Sequence, residues 1–392
     1  MVDRFQMKAA GQCVLIVVTS LAAEGTPRMA LELCRHWLAW GLRPVLVVLQ
    51  DTPKDLAADF DALGVERITL NIPRSGRTRY FVLVAKIFAA ARKYRPAALL
   101  SMPFGWHAMI ALGARLDGVR RVVAHVGNYP NFSSGSAQAK FRFLVQLGRP
   151  LTDRLVCCSR YVQQGTMKAF GVREWETAVV YNGVPVQEFI PHATPDAKGQ
   201  DQPYTIGMVA RLEKHKDQAT LIRAAKILKE RGRKIRVEIV GEGSQRAMLE
   251  QMITAEDLSG TVRLLGMRRD VPAIIAGFDL FAFSTTPDEG FGIALAEAMI
   301  ARVPIVASDV GACREVLESG GLGLLVPPGD AVAMADAIDA VRADPHATSM
   351  RASHAKHMAL RKFSGEAMAC EYGQLLGLAS AGQLSPAVLQ PA

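Results

Sequence analysis

The sequence predicts an α/β protein made of two doubly wound, Rossmann-like domains that face an inter-domain cleft. Its 392 residues exceed the roughly 100 to 200 that one domain usually holds, so about two domains are expected. Hydrophobic residues make up 50% of the chain, which supplies enough apolar surface for real cores. Short apolar runs alternate with helix-length stretches in both halves, a pattern typical of parallel sheets covered on both faces.

The first half begins as a strand-helix-strand unit. Cys13 to Val18 is a short apolar run that ends in a Gly/Pro loop. Met29 to Trp40 has helical spacing of its apolar residues, and Val45 to Leu49 is apolar again. Similar runs recur later in this half, at Ala98 to Ser101, Val122 to His125, Leu155 to Cys158 and Ala178 to Val180.

A polar passage with Pro and Gly, Pro191 to Pro203, breaks the alternation and predicts a linker. Six apolar runs then follow, at Thr205 to Val209, Val237 to Val240, Val262 to Leu265, Leu280 to Phe283, Ile305 to Ala307 and Leu324 to Val326. The predicted parts are an N-terminal domain over 1–188, a linker over 189–203, a C-terminal domain over 204–372, and a tail over 373–392 that is a candidate to return to the first domain.

Membrane-spanning and secreted proteins are not expected from this sequence. The longest apolar stretches, such as Cys13 to Val18, are far shorter than the ~20 residues that a spanning helix needs. No signal-type cleavage site follows that run. The six cysteines form no CxxC pair and have no zinc-like spacing, which favours reduced thiols in a cytoplasm.

Charge is distributed unevenly along the chain. Lys, Arg, Asp and Glu sum to +11 for residues 1–190 and to −2 for residues 191–392. Residues 71–160 hold fifteen basic side chains against only Asp117 and Asp153, a net charge of +13. Such a block indicates an anionic partner. No pattern of a nucleic-acid-binding motif accompanies it, so a membrane surface or lipid phosphates are favoured over nucleic acid.

A helical stretch from Arg74 to Arg95 carries part of this charge. Arg79, Lys86 and Lys93 recur every seven residues, which places them on one side of a helix. We expect this basic side to lie near lipid headgroups and the opposite side to pack on the sheet of its domain. The apolar residues of that opposite side are Tyr80, Val84, Ile87, Phe88 and Ala91.

Two glutamates lie eight positions apart after the predicted strand that ends at Phe283. Glu289 lies in a glycine-rich turn, and Glu297 lies on a helix predicted to begin around Gly292. Free backbone amides and the positive end of the helix dipole favour a phosphate at such a helix start. The pattern therefore predicts two carboxylates and an anion site in one place.

Two basic residues follow the first strand of the second domain. Arg211 comes just after that strand, and Lys216 comes five residues later. The guanidinium fork of arginine binds phosphate oxygens in pairs, and lysine adds a mobile charge. Together they could stabilise a departing diphosphate.

In this order and spacing, the motifs resemble those of the retaining, nucleotide-sugar-dependent glycosyltransferases of family four, which have the GT-B fold. Arg211 to Lys216 resembles the Arg-Leu-x-x-x-Lys segment of that family, with Asp217 in place of the usual glycine. Asp288 to Gly292 with Glu297 resembles its Glu-x7-Glu signature. Further matches are Val240 to Gly243, Asn182 to Val184 with Phe189, Asp309 to Ala312 with Glu315, and Leu324 to Asp330.

The resemblance implies a role for each matched position of the second domain. Glu289 would contact hydroxyls of the donor sugar, and Glu297 would bind the ribose hydroxyls. Arg211 and Lys216 would stabilise the leaving diphosphate and also bind the donor. The other implied donor-binding positions are Gly243, Gly290, Phe291 and Gly292.

Two positions of the first domain also resemble family sites. Glu24-Gly25-Thr26 is similar to the Gly-Gly loop near the phosphates, with Glu24 in place of the first glycine. This resemblance implies that Gly25 binds the donor. His125 ends a predicted strand as Val-Ala-His, like the active-site histidine of the family, and its imidazole is implied to hydrogen-bond the transferred sugar.

The resemblance implies a retaining hexosyltransferase that uses a UDP- or GDP-sugar. No metal and no cofactor are expected, because no His/Cys/Asp cluster has ligand spacing and cationic side chains take the place of the ion. The expected acceptor is a lipid-linked or cell-envelope glycan, as in polysaccharide or lipopolysaccharide biosynthesis, and the expected location is the cytoplasm, at the inner face of the plasma membrane. Two alternatives stay open: a nucleotide-sugar epimerase of GT-B fold and a non-catalytic binding subunit.

Overall fold

The computed structural model describes residues 11–132, 134–190 and 202–378. These residues form two compact units. The first unit contains the described residues up to Gly183 and those from Ser364 onward, and the second runs from Val184 to Phe363.

The first unit contains a sheet of seven strands: β1 (Cys13–Val18), β2 (Arg43–Val48), β3 (Glu66–Thr69), β4 (Ala98–Ser101), β5 (Arg121–Val126), β6 (Arg154–Cys157) and β7 (Thr177–Val179). Their spatial order is β3-β2-β1-β4-β5-β6-β7, and the pairings are parallel. Every residue of the central strand β1 is buried, as expected for an apolar run covered on both faces.

Six helices connect these strands: α1 (Gly25–Ala39), α2 (Ala57–Ala62), α3 (Thr78–Tyr94), α4 (His107–Leu116), α5 (Gly135–Gly148) and α6 (Arg160–Phe170). One core contains Trp37 of α1 and Phe60 of α2, both fully buried. The other core lies against α3 and α4 and contains Leu83 and Ile87. The predicted doubly wound arrangement of the first domain is therefore confirmed.

Strand β3 was not predicted by the sequence pattern. It lies at one edge of the sheet and reads Glu-Arg-Ile-Thr, and none of its four residues is buried. An edge strand has a neighbouring strand on one side only, and its side chains stay partly exposed. It therefore does not need the continuous apolar run that marks the central strands.

The second unit contains six strands: β8 (Tyr204–Val209), β9 (Ile235–Val240), β10 (Val262–Gly266), β11 (Leu280–Phe283), β12 (Ile305–Ser308) and β13 (Leu324–Val326). Their order is β10-β9-β8-β11-β12-β13, again with parallel pairings. All six predicted runs lie within these strands. The helices are α7 (Gln218–Glu230), α8 (Arg246–Ala255), α9 (Val271–Ala276), α10 (Ile293–Ile300), α11 (Gly311–Val316), α12 (Ala331–Ala343) and α13 (Pro345–Lys362).

The last described helix, α14 (Gly365–Leu375), belongs to the first unit. It packs on α1, where the Trp37 indole donates a hydrogen bond of 3.1 Å to the Ala369 carbonyl. The sequence assigns residues up to 372 to the C-terminal domain, and the structure differs there because α14 buries its apolar side in the first core. Residues 191–201 of the predicted linker (189–203) and residues 379–392 of the predicted tail (373–392) lie outside the described residues.

The described part of the chain contains neither a membrane-spanning helix nor a cluster of metal-ligating side chains. No helix there is long and apolar enough to cross a membrane. Within the same ranges, no group of three or more His, Cys, Asp or Glu side chains could hold a metal ion. The six cysteines are buried, free thiols.

Candidate functional site

The carboxylate of Glu289 is enclosed by backbone amides. It lies in the turn between β11 and α10, and only 7% of the residue is exposed. Its Oε1 atom accepts hydrogen bonds from the amides of Gly290, Phe291 and Gly292, at 3.0, 3.3 and 3.1 Å. The glycine-rich turn thus wraps three donors around its own glutamate, an arrangement that stabilises an anion.

The second oxygen of this carboxylate pairs with Lys216. The Lys216 ammonium contacts Glu289 Oε2, and the two side chains are 15% and 8% exposed. Burial favours a raised pKa for Glu289, but the charge and hydrogen bond of Lys216, with the Phe291 amide, outweigh it, so the pKa lies below its usual value. The carboxylate is therefore charged at neutral pH and faces a cation.

Hydrogen bonds between two loops hold Lys216 in place. Lys216 ends a 3₁₀ turn, Lys214–Lys216, in the loop after β8. In this turn, the carbonyl of His215 accepts hydrogen bonds from Thr285 Oγ1 at 2.8 Å and from the Thr286 amide at 2.9 Å. The carboxyl ends of β8 and β11 are thereby tied together, which is why residues 73 positions apart meet.

Asp217 adopts a backbone conformation that favours glycine. Its φ and ψ are +44° and +43°, in the left-handed region, at the position where the resembled family has glycine. Aspartate tolerates this region better than most residues do. Its carboxylate also accepts a hydrogen bond from Thr220 Oγ1 at 2.7 Å. The departure from the family motif is therefore compatible with the turn that carries Lys216.

The turn after β9 packs closely on the loop that carries Arg211. A Cβ atom at Gly241 would collide with the Ala210 carbonyl. One at Gly243 would collide with the backbone of Leu212. Gly243 thus permits the close approach of two loops, and its predicted contact with the donor stays a prediction. Arg211 itself is exposed on the loop held in this way.

Helix α10 begins directly after Gly292. This residue has a φ of +80°, and a Cβ atom there would lie 3.2 Å from the Leu295 side chain, so both backbone and packing favour glycine. Glu297 lies in the second turn of α10 and is 7% exposed. The sequence assigns the amides around Gly292 to a phosphate, whereas the structure shows those of residues 290–292 bound to Glu289, the nearest anion.

In the first unit, His125 is buried near the carboxyl end of β5. Its Nδ1 atom lies 2.8 Å from the hydroxyl of Tyr372 on α14. Its Nε2 atom has no hydrogen-bond partner among the described residues. Burial lowers the pKa of His125 to about 4, so the imidazole is neutral at neutral pH.

Sequence reasoning missed Tyr372. It is fully buried, and burial raises its pKa well above the usual value, so its hydroxyl stays protonated. It lies 247 positions from His125, and no local pattern links two residues so far apart. A tyrosine among the apolar residues of α14 is the signal that could have suggested a polar partner.

A second buried histidine, His107, begins α4. Its Nδ1 atom contacts the carbonyl of Phe104, and its ring stacks on that of Phe104 at 4.8 Å. Burial lowers its pKa to about 4. His107 is therefore a neutral packing residue of the first unit.

Gly25 begins α1, after the loop that follows β1. The preceding Glu24 has φ −113° and ψ 169°, an extended conformation that any residue adopts. Glutamate therefore replaces the first glycine of the family loop without backbone strain. The helix start lies at the carboxyl end of β1, where doubly wound folds bind ligands, and contact between Gly25 and the donor stays a prediction.

Comparisons with known sequences match both units. Residues 23–188 match the family model "Glycosyltransferase Family 4", and residues 193–358 match "Glycosyl transferases group 1". A phosphatidyl-myo-inositol mannosyltransferase of Mycolicibacterium smegmatis is 31% identical over 201 residues, 50% of each chain. A GDP-mannose-dependent alpha-mannosyltransferase of Mycobacterium tuberculosis is 27% identical over 349 residues, 82% of this chain and 85% of that protein. The chain spans half or less of the length of the first curated relatives it matches.

Solved structures share the fold. HepE of Anabaena, solved in complex with UDP and glucose, has a TM-score of 0.79 at 23% identity, covering 93% of this chain and 99% of that one. Sucrose-phosphate synthase of Thermosynechococcus elongatus has a TM-score of 0.76 at 18% identity, covering 95% and 100%. These likenesses extend over both units and establish the GT-B fold.

Proposed function

The chain belongs to the GT-B glycosyltransferases of the family-four type, and from that premise we propose that it transfers a sugar from a nucleoside-diphosphate sugar to an acceptor with retention of anomeric configuration. The observation that carries this proposal is the buried Glu289–Lys216 pair at the carboxyl ends of β8 and β11. A fixed carboxylate beside a fixed cation can hold a sugar hydroxyl and a phosphate oxygen at the same time.

Glu289 orients the donor sugar in this proposal. Its Oε1 atom is held by three amides, so the carboxylate cannot rotate freely. Its Oε2 atom retains accepting capacity beyond its bond to Lys216, because a carboxylate oxygen has two lone pairs. That remaining capacity suits a sugar hydroxyl.

Lys216 and Arg211 stabilise the leaving diphosphate. The ammonium of Lys216 has three donors, of which Glu289 engages one, so the others are available to phosphate oxygens. Arg211 adds a guanidinium fork on the neighbouring loop. Because these cations supply the positive charge, we propose that the reaction needs neither a metal nor a cofactor, and activity should survive EDTA.

The nucleoside end of the donor lies on α10 in this proposal, with Glu297 on the ribose hydroxyls. The remaining proposed contacts are Gly25, Gly243, Gly290, Phe291 and Gly292. We propose UDP or GDP as the nucleotide. UDP is bound in the HepE structure, and a relative is named as dependent on GDP-mannose.

His125 contacts the transferred sugar in this proposal. The neutral imidazole offers Nε2, whereas Nδ1 lies against the Tyr372 hydroxyl. A hydroxyl that donates to Nδ1 leaves the proton on Nε2, which then donates to a sugar oxygen. Tyr372 is thus a positioning residue.

We propose that the acceptor is a lipid-linked or cell-envelope glycan and that the enzyme works at the cytoplasmic face of the plasma membrane. The net charge of +13 over residues 71–160 supports an anionic membrane surface. Four relatives are named as phosphatidyl-myo-inositol mannosyltransferases, a name that describes a lipid acceptor for those proteins.

A thermal-shift panel of UDP-, GDP-, ADP- and CMP-sugars tests the donor. We expect one nucleotide class to raise the melting temperature and Glu297→Gln to weaken that shift. Release of free nucleoside diphosphate is then measured with and without a glycan acceptor. Release that requires the acceptor supports transfer. Interconversion of the sugar without an acceptor indicates an epimerase, and donor binding without any turnover indicates a binding subunit; either result refutes the proposal.

A further inference from the structure

Helices α3, α4 and α5 leave an apolar groove open on the first unit. Its volume is about 900 Å³, and apolar side chains of all three helices line it. Phe81 is 78% exposed, Phe143 is 66% exposed and Leu116 is 60% exposed. A single exposed apolar side chain is ordinary, but a contiguous apolar surface of this kind marks a binding face.

The helices align their apolar residues along this groove. On α3, Phe81, Ala85 and Phe88 follow one another at spacings of four and three residues, and on α5 the lining residues Phe143 and Leu147 are four apart. Such spacings place side chains in rows on one helix face. Of the fourteen residues of α5, the buried ones are Val145 and Gly148. The rows therefore lie outside the core.

Positive charge borders the groove. Arg77 and Lys140 are exposed and lie in its lining, which contains no acidic residue among the described ones. The two acidic residues of the basic block are already paired, Asp117 with Arg92 at 3.9 Å and Asp153 with Arg115 at 2.9 Å. The surroundings of the groove thus attract anions.

The basic residues of the predicted helical stripe are less free than the sequence suggests. The Arg79 guanidinium stacks over the rings of Tyr80 and Trp106, at 5.0 and 5.2 Å, and donates to the Arg74 carbonyl. The ammonium of Lys86 also donates to a backbone carbonyl of the protein. The exposed cations that line the groove are instead Arg77 and Lys140, which come together because α3 and α5 both pack against α4.

We propose that this groove docks the first unit onto an anionic lipid bilayer. Phe81, Phe143 and Leu116 enter the boundary between headgroups and acyl chains, and Arg77 and Lys140 lie among the lipid phosphates. This inference rests on the proposed function, which requires an acceptor at a membrane. Exposed aromatic and aliphatic side chains beside basic ones have the composition of an interfacial anchor. The described lining offers neither carboxylates nor side-chain amides for directional recognition of a protein surface.

Co-sedimentation of the full chain with vesicles tests the apolar part. Vesicles of phosphatidylcholine are compared with vesicles that also contain phosphatidylglycerol. We expect binding to the acidic vesicles and a loss of roughly tenfold for the double variant Phe81→Gln/Phe143→Gln. Both side chains are exposed, so the variant should fold. Trp175→Gln is the matched control, since Trp175 is 62% exposed in the same unit but outside the groove.

The basic residues of the groove, Arg77 and Lys140, are tested separately. Arg77→Glu/Lys140→Glu should weaken binding to acidic vesicles and reduce its dependence on salt, because exposed charges are screened beyond about 8 Å at physiological ionic strength. Lys168→Glu makes the same type of charge change at an exposed position of this unit outside the groove and should bind as the wild type does.

A nucleotide-binding measurement distinguishes the failure of this proposal from the failure of the proposed function. Thermal shifts with UDP and GDP should be the same in wild type and all groove variants. Vesicle binding without any change of melting temperature on adding UDP or GDP would support the docking surface and count against the proposed donor site. Equal binding to neutral and acidic vesicles, no vesicle binding, or normal binding by the Phe81/Phe143 double variant would overturn the docking proposal. Self-association that this variant abolishes, without vesicle binding, would instead identify an interface between copies of the chain.

Discussion

The two units have the same sheet topology but place different chemistry near the carboxyl ends of their strands. Numbered within each unit, the first six strands have the order 3-2-1-4-5-6 in both. Near the carboxyl end of β5, the first unit buries His125, which is neutral. After the carboxyl end of β11, the second unit buries Glu289, which is charged. A shared fold therefore supplies the position of a side chain but not its charge state.

The partner of each group explains the difference. Burial disfavours the charged form of both side chains. His125 contacts a neutral hydroxyl, that of Tyr372, so burial decides its pKa. Glu289 contacts the Lys216 cation and the Phe291 amide, and their effect on its pKa outweighs that of burial. Removing the partners of His125 or Glu289 should therefore change the difference in pKa behaviour between the two units.

The largest effect is expected at Lys216. Lys216→Ala leaves the Glu289 carboxylate buried without its cation, so the pKa of Glu289 should rise and turnover should fall about 10²- to 10³-fold, as for other preorganised contacts to developing charge. The measurement is kcat for sugar transfer. Lys226→Ala is the matched control, because it breaks another Lys–Glu pair of the same unit, with Glu256, away from the site. Near-normal turnover in Lys216→Ala would refute the leaving-group role.

Acid should destabilise the first unit more than the second, because burial lowers the pKa of two histidines there, His107 and His125, to about 4, whereas in the second unit it lowers the pKa of His215 less strongly. The pKa values of His107 and His125 fall from 6.5 to about 4 on folding, so the unfolded chain binds more protons between these values and stability is lost as pH falls through this window. At 1.36 kcal/mol per pH unit, this amounts to about 3 kcal/mol for each histidine. Glu289, whose pKa is lowered from 4.5, contributes stability that is lost only below that value.

Tryptophan fluorescence can follow this acid effect, because all four tryptophans lie in the first unit. Urea unfolding is measured by fluorescence at several pH values. We expect His125→Asn to flatten the dependence on pH between 6.5 and 4. An unchanged slope in this variant would show that His125 is not kept neutral by burial.

A smaller effect is expected at Tyr372. Tyr372→Phe leaves the Nδ1 atom of His125 without its partner, which should cost about 1 to 3 kcal/mol of unfolding free energy. Because Tyr372 positions His125, the Tyr372→Phe variant should also have a lower kcat, while its KM for the nucleotide sugar stays unchanged. Tyr94→Phe is the control, since it removes a hydroxyl bound to Glu66 in the same unit. Loss of stability with normal kcat would make the role of Tyr372 purely structural.

The smallest effect is expected at Asp217. Asp217→Gly relieves a left-handed backbone conformation but removes the hydrogen bond from Thr220, so stability should change by less than about 0.5 kcal/mol and activity should persist. Asp217→Val keeps the strain without the hydrogen bond and should be clearly destabilised in thermal unfolding. Equal stability of the Gly and Val variants would contradict this account of the turn.

The sequence alone predicts most of the fold. A central strand such as Cys13–Val18 is covered on both faces, so its residues form a continuous apolar run in the sequence. The edge strand Glu66–Thr69 is partly exposed and has no such run, which is why the pattern does not mark it. The family is likewise predicted correctly, because its motifs are short segments whose residues, spacing and order can be recognised in a single sequence.

The sequence also determined where the charged residues of the second unit lie along the chain, but only the tertiary structure paired them. Lys216 meets Glu289 because two loops are joined through His215. Tyr372 reaches His125 because α14, the last described helix, packs on α1 within the first unit. The apolar groove likewise needs three helices side by side. Local patterns encode burial and backbone conformation, whereas the partner of a side chain, and with it the pKa, depends on the packing of segments far apart in sequence.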